Sequence, residues 1–167
     1  MIRLRFVSGN DKISMGIRLR ESFPFNHVEA VTPAGLYLGA HADGGVQARA
    51  PGYDAAWLER ELFVDLPNLA RTFPSHSPFV GPDPDTQAEE FYAFLDRHLG
   101  EPYDFKSILG FLVPLDLHQS GHVICSALQT LGLRQCGWFA APLVEPAHKI
   151  SPRDLLLMIS GRVAVKM

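Results

Sequence analysis

The spacing of apolar and polar positions divides the chain into two unlike halves. In the first, apolar residues alternate with polar ones over short runs bounded by turn residues. Phe25 to Thr32 predicts a strand, Pro33-Ala34-Gly35 a turn, and Leu36 to His41 the returning strand. Asp43-Gly44-Gly45 is a second turn signal, followed by a strand at Val46 to Ala50. A fourth strand falls within Leu58 to Leu66, where Leu62, Val64 and Leu66 alternate with polar neighbours. Ahead of these, Ser14 to Arg20 reads as a short amphipathic turn or helix.

The second half changes period. From Thr86 to Leu99 the residues Phe91, Phe94, Leu95 and Leu99 recur at helical spacing, with Thr86 and Glu89 placed for a capping box and Gly100 for the stop. A second helix begins near Cys125, carries Leu128 and Leu131 inward and ends at Gly132. A third spans Pro152 to Ile159 with Ser151 as its N-cap. The Pro-rich stretch from Pro67 to Pro84 reads as a long connection inside one domain, because neither half alone has the apolar residues for a stable core. Strands first and helices later predict an α+β fold. The expectation is a single domain over residues 1–167, with an antiparallel sheet from the N-terminal half packed against helices from the C-terminal half.

Composition narrows the function classes. Of 167 residues, 47% are hydrophobic and 20% charged, as in an ordinary globular protein. The net charge of -3 gives no electrostatic case for nucleic acid or an anionic membrane. Arg3, Arg5, Arg18 and Arg20 form a modest basic group that reads as solvated surface. No stretch approaches the roughly 20 apolar residues of a membrane helix, and the N-terminal apolar run is too short for a secretory signal. Two cysteines, Cys125 and Cys136, make neither a zinc ribbon nor a disulfide framework. A reducing setting, cytoplasmic or phage-associated and without a signal peptide, fits best, and no cofactor is implied.

The richest chemistry lies in Gly121-His122-Val123-Ile124-Cys125-Ser126-Ala127-Leu128. A glycine-loosened loop delivers a cysteine to the first turn of an apolar-faced helix. Unpaired N–H groups and the helix dipole stabilise a thiolate there, lowering a free pKa of about 8.5 to roughly 3.5–7.5. The same N–H groups can hold the oxyanion of a tetrahedral intermediate. Against this stands the plainer reading of a small buried hydrophobe. Such a thiolate needs an imidazole, and seven histidines compete. His27 lies early in a predicted strand, where a rigid scaffold can aim it. His76, His98 and His148 read as surface residues. His118 and His122 lie too close to Cys125 along a loop to choose for or against.

Two sets of fragments go further. His27-Val28, Pro33-Ala34-Gly35, the strand Leu36 to Ala40 and Gly44-Gly45-Val46 form the first. Gly100, Pro102-Tyr103, Gly110 and Cys125-Ser126-Ala127-Leu128 form the second. In this joint order the chain resembles the circularly permuted branch of the NlpC-type, papain-like cysteine peptidases, which also includes relatives of lecithin retinol acyltransferase. Unpermuted members carry the same two pieces in the opposite order, and Phe6-Val7-Ser8 to Arg20 resembles the lead-in of permuted ones. The resemblance covers most of residues 6–133 and implies a permuted papain-like fold with Cys125 as nucleophile and His27 as general base. Swapping the order is harmless, since such sites are defined by geometry and role.

The resemblance also implies a third group on the next strand, to hold the imidazole in its working tautomer. Gly39 occupies that place and cannot serve, so His41, two residues on and on the same strand face, is the candidate. Glu29, sharing a face with His27, is the alternative. Tyr103 stands where relatives line the cleft and offer a hydroxyl to the oxyanion. Ala127 departs from the Glu that many permuted members carry after Cys-Ser. The implied substrate is a small peptide, amide or acyl compound. An acyltransferase would share every step but the acceptor. Two other readings compete: a metal-binding module built on His118, His122 and Cys125, and a binding domain in which Cys125 is inert.

Overall fold

In the computed structural model, five strands form one antiparallel sheet in the order β4-β3-β2-β1-β5. They are β1 (Ile2–Gly9), β2 (His27–Val31), β3 (Tyr37–His41), β4 (Gly45–Arg49) and β5 (Leu58–Leu66). Among the described residues four α-helices follow: α1 (Gln87–Arg97), α2 (Phe105–Leu112), α3 (Cys125–Gln135) and α4 (Pro152–Ser160). The structure describes residues 1–10, 15, 18–19, 22–68, 86–112, 117–139, 143 and 145–161. The amphipathic segment at Ser14 to Arg20 and the Pro-rich connection lie largely outside them.

β1 is the strand that the hydrophobic pattern did not single out, and it lies inside the sheet between β2 and β5. Ile2, Leu4 and Phe6 do alternate with Arg3 and Arg5, but the two arginines suggest an exposed face. The structure corrects this for Arg5, which is 2% exposed and ion-paired to Glu29 and Asp54. Arg3 stays at the surface, paired with Asp65.

Alternation along paired strands sorts side chains onto two faces. Leu4, Phe6, Val28, Ala30, Leu38, Ala40, Val64 and Leu66 share one face and join Phe91, Leu95, Leu128, Leu133, Leu155 and Ile159 in a single core. Helix α3 is tied to this layer by the Gln129 side chain, which donates to the Leu38 carbonyl at 3.1 Å. Arg5, His27, Glu29, Gly39 and His41 fall on the other face, over which the connection after β4 brings Tyr53 and Asp54.

Three helix boundaries test the sequence signals. Ser151 accepts from the Asp154 N–H and Asp154 reciprocates, so the α4 capping box forms as read. The box expected at Thr86 does not: Thr86 has helical dihedrals at the N-cap and makes no side-chain cap bond. Gly132 does not end α3, which runs on to Gln135. A Cβ at Gly132 would lie 2.9 Å from the Phe91 ring, so this glycine serves close approach of α1 and α3. Leu133 is therefore buried, while Leu131 is only half-buried. Helix α2 was not foreseen. It starts where Asp104 accepts from the Ser107 N–H at 3.0 Å and the Ser107 hydroxyl at 2.7 Å.

One docking contact positions the site. Gly45 has φ +73° and packs so closely that a Cβ would lie 2.1 Å from the Glu101 carbonyl oxygen. The Val46 N–H donates to Glu101 and the Gly100 N–H to Val46, each at 2.8 Å. Two residues on, Tyr103 forms a parallel bridge with Val123, just before α3. The β3–β4 hairpin is thus fastened to the segment that leads to Cys125.

Candidate active site

Cys125 is the first residue of α3, preceded by Ile124 in an extended conformation with no side-chain cap. The N–H groups of that turn and the positive end of the helix dipole are left to the cysteine. Its thiol is 3% exposed. Burial alone would raise its pKa, but the His27 imidazole and the N–H groups of Val28 and Ser126 outweigh burial and hold it below the ordinary thiol value.

His27 opens β2, at the end of the sheet that meets the start of α3, and its side chain is 13% exposed. Desolvation disfavours its charge. The Cys125 thiolate and then Glu29 override that and push its pKa up to about 10. The two shifts run in opposite directions, and both favour the thiolate–imidazolium form of the pair.

Behind His27 stands a buried carboxylate. Glu29 Oε2 lies 3.7 Å from His27 Nε2 and 3.8 Å from His41 Nε2, while the Tyr53 hydroxyl donates to it at 3.1 Å. Glu29 Oε1 accepts from Arg5 at 2.6 Å. Burial would keep this carboxyl protonated, but His27 and Arg5 hold it well below the usual carboxylate range. Arg5 also reaches Asp54 at 2.8 Å and Glu61 at 2.9 Å. One guanidinium from β1 thus organises carboxylates from β2, β5 and the connection after β4.

His41 lies across from His27 with ring centroids 4.9 Å apart. Burial, then the charge on His27, pushes its pKa down to about 3, so it is neutral at ordinary pH. The structure brings His27, His41 and Glu29 together, with Glu29 Oε2 between the two Nε2 atoms. Two strand rises separate His27 and Glu29 along β2, about 6.6–6.8 Å, yet their side chains lean together to 3.7 Å. Gly39 makes room: a Cβ there would meet Glu29 Cβ at 3.0 Å. The residue that could not itself orient His27 vacates the space used by one that can.

Tyr103 is half-buried, edge-on to Phe105 at 5.1 Å, and tied by its bridge to Val123 beside the Cys125 turn. The other candidate metal set does not assemble. His118 Nδ1 pairs with Asp104 at 2.6 Å and its ring stacks on His148, whereas His122 turns back to the Ser120 carbonyl. Among the described residues the grouped potential ligands are His27, Glu29 and His41. Burial pushes the pKa of the Cys136 thiol up to about 11.

Arg5, Tyr53 and Asp54 are the site residues that sequence reasoning missed. Arg5 had a readable signal, a charge set between the apolar Leu4 and Phe6; nothing in the sequence marks Tyr53 or Asp54. No protein-family model and no curated protein matches the chain.

Proposed function

We propose that the chain is a thiol hydrolase of the permuted papain-like type, acting on an amide bond or a related ester or thioester. One observation carries the reading: at the N-terminus of α3, Cys125 and His27 shift each other's pKa in opposite directions, toward a thiolate–imidazolium pair. The Cys125 thiolate adds to the substrate carbonyl carbon, and the charge moves to the carbonyl oxygen. N–H groups of the first turn of α3, with the Tyr103 hydroxyl, are the donors for that oxyanion. The His27 imidazolium protonates the leaving amine, alcohol or thiol as the carbon–heteroatom bond breaks, leaving an acyl-Cys125. Neutral His27 then takes a proton from water, which attacks the thioester and frees the acid. Transfer to another acceptor in place of water would make the same site an acyltransferase.

The Glu29 carboxylate, 3.7 Å from His27 Nε2, favours the imidazolium by its charge, and Arg5 keeps Glu29 ionised and in place. The docking of Gly45 on Glu101 adds support, because it joins the two fragments of the family resemblance in one substructure. The test is incubation with a panel of peptide amides, thioesters and lipid esters, followed by intact-mass analysis. A substrate-derived acyl adduct on Cys125 and loss of turnover in Cys125→Ala are expected. Turnover that survives in Cys125→Ala would refute the reading.

A further inference from the structure

The geometry of the three side chains behind Cys125 points to a second use of the site. His27 Nε2 and His41 Nε2 face one carboxylate oxygen from 3.7 and 3.8 Å, beyond hydrogen-bond distance. Both nitrogens are buried, and neither has a hydrogen-bond partner. Two unsatisfied imidazole nitrogens aimed at one carboxylate leave a gap that a cation fits. We propose that His27 Nε2, His41 Nε2 and Glu29 Oε2 form a site for a divalent transition metal, with zinc the best match, and that occupancy switches the thiol chemistry off.

The ligand set, two histidines and one carboxylate, suits zinc with a fourth position open. Zinc–ligand bonds of about 2.0–2.2 Å at tetrahedral angles put neighbouring ligand atoms about 3.4 Å apart. The two nitrogen-to-Oε2 spacings need to close by only a few tenths of an ångström. One potential ligand atom from each of His27, Glu29 and His41 lies within 4.8 Å of the others. The surroundings are also prepared. Arg5 fixes the other oxygen of Glu29 at 2.6 Å, and the Tyr53 hydroxyl steadies Oε2. Glu29 and Asp54 are both buried beside this one guanidinium, so the pocket holds more buried carboxylate than buried guanidinium charge.

The consequence for activity rests on the hydrolase reading. A metal at Nε2 displaces the proton that nitrogen carries in the imidazolium. The ring then keeps at most its Nδ1 proton and has no lone pair with which to accept another. His27 can no longer take the proton from the water that attacks the acyl-Cys125 thioester, so the acyl group stays on the cysteine and turnover stops.

Metal binding can be tested apart from catalysis, in chelator-treated full chain carrying Cys125→Ala, by calorimetric titration with zinc chloride. One zinc per chain is expected, weakened about 100-fold or more by adding His41→Ala, at least what loss of a supporting partner costs. If His41→Ala does not fold, Glu29→Gln serves the same comparison. No saturable binding in Cys125→Ala, or binding unchanged by both substitutions, would overturn the site. In the unsubstituted chain, zinc should stop turnover of a substrate from the panel and EDTA should restore it. Undiminished turnover with zinc bound would overturn the switch. Zinc binding in Cys125→Ala stands or falls without reference to turnover, so failure of the metal site and failure of the hydrolase reading are told apart.

Discussion

At His27, burial and charge act in opposite directions, and the sign of the outcome depends on one neighbour. Desolvation lowers the imidazole pKa, and the Cys125 thiolate is the largest influence raising it. Removing the thiolate in Cys125→Ala should therefore drop the His27 pKa by several units. Imidazole NMR titration of the two proteins measures this, and an unchanged pKa would mean that the pair does not form. Glu29 is the other test at this scale. Glu29→Gln keeps the shape but removes the charge that steadies the imidazolium, and it should lower kcat by roughly 10–100-fold with little change in KM. His41→Ala, which removes a neutral ring, should cost less. The reverse order would give the orienting role to His41, the candidate that the family resemblance led to.

β2 and β3 show how backbone detail serves the site. Gly39 faces Glu29 so closely that Gly39→Ala must push the Glu29 side chain or spread the strands. Reduced turnover with a near-native melting curve is the expected result. At Gly45, both the positive φ and the Glu101 carbonyl exclude a side chain, so Gly45→Ala should cost at least about 2 kcal/mol in denaturant unfolding. The β2–β3–β4 meander and α4 were legible because turn residues and a capping box are local signals. β1 was not, because its arginines imitate an exposed face, and Arg5 is buried only through partners from distant strands. Helix α2 depends on an Asp104 cap placed by the Tyr103–Val123 bridge, a tertiary contact. The same holds for Glu29: strand spacing gives the Cα separation, not the lean of the side chain over a glycine.

Across the whole molecule, the sheet from the first half of the chain carries His27, Glu29 and His41, and a helix from the second half carries Cys125. The burial of His41 in this assembly should appear in the pH dependence of stability. His41 is held neutral down to about pH 3, whereas an unfolded histidine protonates near pH 6.5. Between these values the unfolded chain binds the extra proton, so stability falls as pH falls. This residue should contribute a slope of up to about 1.4 kcal/mol per pH unit, absent in His41→Gln when urea unfolding is repeated from pH 6.5 to pH 4. The central claim, a thiolate held ready by His27, is tested most directly by the pH profile of Cys125 alkylation with iodoacetamide, using Cys136 as internal control. The rate at Cys125 should titrate well below the free-thiol value of about 8.5, while Cys136 stays unreactive until near its value of about 11. A Cys125 profile centred at or above the free-thiol value would contradict the account.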